Sequence, residues 1–234
     1  MQESKSKNDA NLYIVATPIG NLEDITLRAL RILKEVDYIL CEDTRVTKKL
    51  LNYYDIKTKT VSYHQHSSIS KTDYILKLLK TGKNLALVSD SGTPGISDPG
   101  GKLVEEVVNN PGSEVRIESV PGPSAVTTAL SISGFPTDKF VFMGFPPHKK
   151  GRQKFVKEIL ENKYTTVLYE SKHRIIKLLE ELKKFQVAEL ELVVSRELSK
   201  MYESIYRGSV EEILNELNSS SNNLKGEFVV IIKK

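Results

Sequence analysis

The chain has 234 residues, enough for one large domain or two smaller ones with proper cores, and its 39% hydrophobic and 27% charged content is that of a soluble globular protein. Its net charge of +4 permits an anionic partner without demanding one. No apolar stretch is long enough to cross a bilayer, so a membrane partner is not expected. The lone Cys41 ends an apolar run and reads as a buried thiol in a reducing, cytoplasmic setting.

Residues 1–10, MQESKSKNDA, are polar, lack an apolar signal core and read as a disordered tail. Leu12–Ala16 reads as a strand that leaves through the turn Thr17-Pro18-Ile19-Gly20-Asn21, which is not the GxGxxG of a dinucleotide site. Asp24 is placed to cap a helix with Ala29, Ile32, Leu33 and Val36 at i, i+3, i+4, i+7. A second strand, Tyr38–Cys41, delivers Glu42-Asp43-Thr44-Arg45, which fits either an active-site edge or a helix cap with a salt bridge. A third, Thr60–Tyr63, runs into His64-Gln65-His66. These histidines have no acidic or thiol partner at metal-site spacing, so no metal is expected and they read as exposed or ligand-facing.

A helix with Ile75, Leu78 and Leu79 on one face precedes the strand Leu85–Val88. That strand opens into Ser89-Asp90-Ser91-Gly92-Thr93-Pro94-Gly95-Ile96-Ser97-Asp98-Pro99-Gly100-Gly101. Glycines and prolines in a loop this long, after a strand and before a helix, mark the place where open α/β sheets bind ligands; a plain surface connection is the alternative. The strand Val115–Val120 then breaks at Pro121-Gly122-Pro123. Ser124 and Ala125 start a helix whose free N–H groups can hold an acceptor.

Five strands alternating with helices predict a parallel sheet covered on both faces. The pattern changes at Ser133–Thr137, the candidate hinge, which gives an N-terminal α/β domain over 11–136 and a C-terminal one over 137–234. The second domain begins with the strand Phe140–Phe145 and the basic run His148–Lys154. Four of the chain's cations, Lys149, Lys150, Arg152 and Lys154, fall in that run; they suit several phosphates, or simply a solvated loop. A helix (Phe155, Val156, Ile159, Leu160), a strand over Tyr164–Tyr169 and a helix (Ile175, Leu178, Leu179, Leu182) follow. Strands Leu190–Ser195 and Tyr202–Arg207 are too close for a crossover helix and predict an antiparallel pair. A last helix (Val210, Ile213, Leu214, Leu217) and the strand Glu227–Ile232 complete a mixed sheet.

The stretches LYIVATPIGNLEDITLRALRIL, CEDTR, LVSDSGTPGISDPG, PGPSAV, GFPPHKKGR, LYESKHRI and SREL, in this order, resemble the ribosomal RNA small subunit methyltransferase I family. That family belongs to the tetrapyrrole-methylase superfamily, the class III methyltransferase fold. The resemblance runs from Leu12 to about Lys234 and implies 2′-O-methylation of a cytidine ribose in the decoding region of 16S ribosomal RNA. It also implies two α/β domains with S-adenosylmethionine in the cleft between them, a homodimer, and 16S RNA or the small ribosomal subunit as partner. Carried over by position, Pro18 borders the cofactor. Asp90, Gly92, Thr93, Pro94 and Ile96 wrap its methionine end and ribose, and Ser124 and Ala125 touch it. The region after Phe142 and the strand ends at Glu170 and Arg196 are expected to close over the adenine. Many family members continue into a small helical extension, whereas this sequence ends at GEFVVIIKK.

Methyl transfer from a sulfonium is an in-line displacement, so alignment is the protein's main task. A base would help a ribose hydroxyl, and Asp43, Glu42, His64 and Asp98 all stand at strand ends. The Asp43–Arg45 pair is preferred, with a purely positional mechanism as the alternative. A methylase of a tetrapyrrole or other small molecule on the same fold is the second reading, and a non-catalytic RNA-binding module the third. The run HKKGRQK and the motif CEDTR favour RNA over a macrocycle.

Overall fold

The computed structural model describes residues 10–64, 69–98, 100–110, 115–185 and 190–233. They build two α/β units, one ending at Ser124 and one beginning at Ala125. The first contains β1 (Ala10–Val15), α1 (Leu27–Glu35), β2 (Tyr38–Cys41), α2 (Thr44–Tyr53), β3 (Lys59–Ser62), α3 (Ile69–Lys80), β4 (Leu85–Val88), α4 (Gly100–Val108) and β5 (Val115–Val120). Its strands are all parallel, in the order β3-β2-β4-β1-β5. All four residues of β4, Leu-Ala-Leu-Val, are buried. An unbroken apolar strand of this kind needs both faces of its sheet covered. Helices α1 and α2 pack with Val15, Ile39, Ala86 and Val88 on one face. Helices α3 and α4 pack with Leu12, Leu40, Leu85 and Leu87 on the other. Right-handed crossovers require this split: the chain moves outward through α1 and α2, then returns through α3 and α4.

That path leaves β1 and β4 as neighbours whose connections depart in opposite directions. A crevice at such a switch point, outside the carboxyl ends of the strands, is the ligand site of open α/β sheets. Two local expectations are corrected here. Asp24 does not cap α1; it lies in a 3-10 turn, Leu22–Asp24, held by the Tyr54 hydroxyl, which donates to Leu22 O at 2.6 Å. The cap is Thr26, whose Oγ1 accepts from Ala29 N at 3.1 Å. Ala10, expected in the tail, begins β1 fully buried, because it pairs with Val115 on the neighbouring strand.

The second unit contains α5 (Ala125–Ser133), β6 (Phe140–Phe142), α6 (Arg152–Glu161), β7 (Thr165–Ser171), α7 (Ile175–Lys184), β8 (Glu191–Arg196), β9 (Ser204–Gly208), α8 (Val210–Asn218) and β10 (Glu227–Lys233). The sheet order is β6-β7-β10-β8-β9. Only β6 and β7 run parallel; the other pairs, including β8–β9, are antiparallel. Side chains of α6, α7 and α8 share one core with Leu168, Leu192, Val194, Phe228 and Val230. Helix α5 lies against β10. The packing therefore divides the chain after Ser124, ahead of the expected boundary at 136/137. Strand β6 stops at Phe142 and not at Phe145, since Gly144 turns to a φ of +67°. No helix among the described residues is long and apolar enough to cross a membrane.

Candidate functional site

The loops after β1, β4 and β5 meet at the switch point. Thr17 N donates to Gly92 O at 2.9 Å, and Gly92 N donates back to Thr17 O at 3.1 Å. Thr17 Oγ1 donates to Ser89 O at 3.0 Å, so the first turn is stitched to both ends of the Ser89–Gly92 segment. Thr93 Oγ1 reaches Pro123 O at 3.1 Å and ties in the loop after β5. Gly92 has φ +80°, a backbone conformation that disfavours any residue with a Cβ, and a Cβ there would already touch Ile19 Cγ2 at 3.4 Å. Pro18, Asp90, Gly92, Thr93 and Pro94 are thus brought together by backbone hydrogen bonds. Ile96 stands out from the loop, 44% exposed. Ser124 closes the first unit, and Ala125 opens α5 in the second.

Asp98 organises the far end of the loop. Its Oδ1 accepts from Gly95 N and, at 2.8 Å, from Gly100 N, while its Oδ2 is buried with no hydrogen-bond partner among the described residues. Asp90 Oδ1 accepts from Asp43 N at 3.2 Å, which joins the end of β2 to the same edge. Glu42, Asp98 and Pro94 line a small hollow there, with Leu87, Val88 and Ser89 as its floor. Desolvation raises the pKa of Asp90, and the charges of Asp43 and Asp98 add to the rise. Glu42 is raised by desolvation, then by the nearby Asp90 and Asp98, while His64 beyond β3 pulls the other way. His66 lies outside the described residues. Among the described residues, no group of three or more His, Cys, Asp or Glu side chains is placed to hold a metal.

Asp43 and Arg45 come together at the head of α2 as a helix cap. Asp43 Oδ1 accepts from Arg45 N at 2.8 Å, and Arg45 Nη2 donates to Asp43 Oδ2 at 2.6 Å. Hydrogen bonds from the Arg45 guanidinium and backbone hold Asp43 at a pKa of about 2. A carboxylate that acidic is a weak proton acceptor at neutral pH. The neighbouring Glu42 carboxyl is shifted the opposite way.

In the second unit, Arg152 departs from expectation. The basic run suggests a phosphate ligand alongside Lys149, Lys150 and Lys154, yet Arg152 is 3% exposed, whereas the three lysines are open to solvent. Arg152 Nε donates to Glu181 Oε2 at 2.7 Å, and its Nη1 donates to Pro147 O at 3.1 Å and lies 3.7 Å from Glu170 Oε2. Arg174 completes the group, with Nη2 at 3.0 Å from Glu170 Oε1 and Nη1 donating to Pro146 O at 2.9 Å. Two guanidiniums thus pin the start of the basic loop to a buried pair of glutamates. Glu181 was missed from the sequence, although a charge at i+3 from Leu178 on the flank of an apolar stripe is a usable signal. Arg196 is also buried; it donates to the carbonyls of Tyr202, Asn222 and Lys225 and so shapes its own unit's loops. The rings of Phe142, Phe145 and Tyr169 cluster at the ends of β6 and β7, with centroids 4.9 and 5.4 Å apart.

Residues 11–214 match the family of tetrapyrrole (corrin/porphyrin) methylases. The chain is 45% identical over 222 residues to ribosomal RNA small subunit methyltransferase I of Mycoplasmopsis pulmonis, covering 95% of this chain and 97% of that protein. The protein of the same name in Halalkalibacterium halodurans is 43% identical over 99% of this chain and 79% of its own length. Among solved structures, uroporphyrin-III-C-methyltransferase from Thermus thermophilus superposes with a TM-score of 0.65 at 20% identity, covering 94% of this chain and 93% of that one. At that identity the likeness speaks for the fold alone.

Proposed function

Because this chain belongs to the tetrapyrrole methylase family, whose methyl donor is S-adenosylmethionine, we propose that it methylates small-subunit ribosomal RNA, at the 2′-oxygen of a cytidine in the decoding region. The observation that carries the reading is the identity of 43–45% over almost the whole chain with relatives named for that RNA, against 20% for a macrocycle methylase of the same fold. The proposal brings with it a cytoplasmic setting and a homodimer.

The first unit's residues fit the donor. S-adenosylmethionine supplies an electrophilic methyl group on a sulfonium and also carries an ammonium group, so its reacting end is cationic. Three carboxylates, Glu42, Asp90 and Asp98, converge on the switch-point edge, and two of them are raised in pKa by burial and mutual repulsion. The buried Oδ2 of Asp98 lacks a donor among the described residues. A cation satisfies both features. The Thr17–Gly92 pairing holds backbone close to the ligand, where a side chain at Gly92 would intrude. Glu42, accessible and raised in pKa, is the group proposed to take the proton from the attacking hydroxyl. Asp43 and Arg45 keep the head of α2 in place beside it. Lys149, Lys150 and Lys154 are proposed to hold RNA phosphates.

The test is incubation with methyl-labelled S-adenosylmethionine and unmethylated small subunits, followed by mapping of the label. Label on a cytidine ribose that resists alkaline cleavage supports the reading. Label on a base, or transfer only to a porphyrinoid, overturns it.

A further inference from the structure

We infer that the exposed face of α2 is a second contact surface for the phosphate backbone of ribosomal RNA, on the same unit as the switch-point edge. The inference rests on the ribosomal RNA reading above. In the helix Thr44–Tyr53, residues 45, 48, 49 and 52 follow i, i+3, i+4, i+7 and share one face. That face is Arg45, Lys48, Lys49 and Asn52, all exposed, while Thr47, Leu50 and Leu51 are buried on the opposite side. The ten residues of α2 include no acidic side chain. Arg45 is answered by its own cap, Asp43, but among the described residues neither Lys48 nor Lys49 enters an ion pair.

Like charges at these spacings repel along a helix, and among the described residues no ion pair relieves Lys48 or Lys49. A polyanion does. The stripe is about 10 Å long at 1.5 Å per residue, and it ends at Tyr53, a 63% exposed residue whose ring meets that of Tyr54 edge to face at 4.9 Å. Its upper end is tied to the cofactor loop, since Asp43 N donates to Asp90 Oδ1 at 3.2 Å. The geometry also answers an electrostatic difficulty. An edge made of Glu42, Asp90 and Asp98 repels a polyanion, and a cationic flank beginning two residues beyond the cap Asp43 offsets that repulsion.

The test compares wild type with K48Q/K49Q and K48A/K49A in binding to 16S RNA transcript and to small subunits across a salt series. Removing two lysine–phosphate pairs lowers the slope of log affinity against log salt by about 1.4 and weakens binding about 25-fold near 0.1 M salt. S-adenosylmethionine affinity and the melting temperature stay at wild-type values, because neither lysine touches the loop or the core. Unchanged slope and affinity in both variants, with wild type methylating subunits normally, overturn this inference alone. Loss of S-adenosylmethionine binding, or a changed sedimentation coefficient without RNA, also overturns it by assigning the face to the cofactor or to self-association. A wild-type protein that neither binds nor methylates the RNA overturns the functional reading itself.

Discussion

Replacing Arg152 with Met removes the cation that sits between Glu181 and Glu170, both of which are buried. Methionine fills much of the same volume, so the effect is electrostatic. Breaking a buried pair by deleting one partner costs roughly 3–5 kcal/mol, because the remaining charge is left without compensation. In a chain of this size each kcal/mol is worth about 2–4 °C, so the melting temperature should fall by about 6–20 °C. Glu170 stays partly answered by Arg174 and the Ser171 amide, which places the loss nearer the lower end. The pH dependence follows from sign. Burial already raises the pKa of Glu170, and losing Arg152 raises it further, so the native state then binds more protons than the unfolded chain. The deficit should therefore shrink as pH falls from 7 toward 5. R152M/E181L should recover part of the loss, since an apolar pair replaces a broken ionic one. The assay is thermal denaturation by circular dichroism at several pH values, beside RNA binding across a salt series. R152M should keep the wild-type salt slope, whereas K149A/K150A should keep the wild-type melting temperature and lose about 0.7–0.9 of slope per lysine. An R152M protein that melts like wild type and loses slope as the lysines do would refute this account of Arg152.

Gly92→Val places a β-branched residue at φ +80° against Ile19 and Pro123, which costs about 1–3 kcal/mol of backbone strain; calorimetry should show S-adenosylmethionine binding reduced at least tenfold, with far-ultraviolet circular dichroism preserved. Asp90→Asn retains an oxygen for the Asp43 amide but removes a charge that burial disfavours, so the ligand-free protein should melt higher while S-adenosylmethionine binds more weakly. In the wild type, that affinity should fall as pH is lowered through the raised ranges of Glu42 and Asp90, because protonation removes the charges that attract the cation; a flat titration between pH 7 and 5 would separate those carboxylates from binding. Thr26→Ala removes the N-cap of α1 and should cost about 1 kcal/mol, read from chemical denaturation.

Local patterns were enough to place most elements. The apolar run of β4, the alternation of strands with helices up to Val120, and the short spacing between β8 and β9 each carry one physical signal, and the observed strands agree with it. The long loop after β4 was legible for the same reason: Gly92 and Gly95, with Pro94 between them, serve no strand or helix. Strand order was not legible, because it depends on which way each crossover turns, and only that order makes β1 and β4 neighbours with a switch point between them. The charged residues changed meaning most. In sequence, Asp43 beside Arg45 and Arg152 beside Lys150 look alike, as polar groups ready for chemistry or phosphate. Tertiary packing separates them. Asp43 becomes an acidified cap, Glu42 next to it a carboxylate kept less acidic, and Arg152 a buried counter-ion to two glutamates that lie 18 and 29 residues further along the chain. A charge's role depends on its solvation and on the sign of its neighbours in space, and both arise only when distant segments meet.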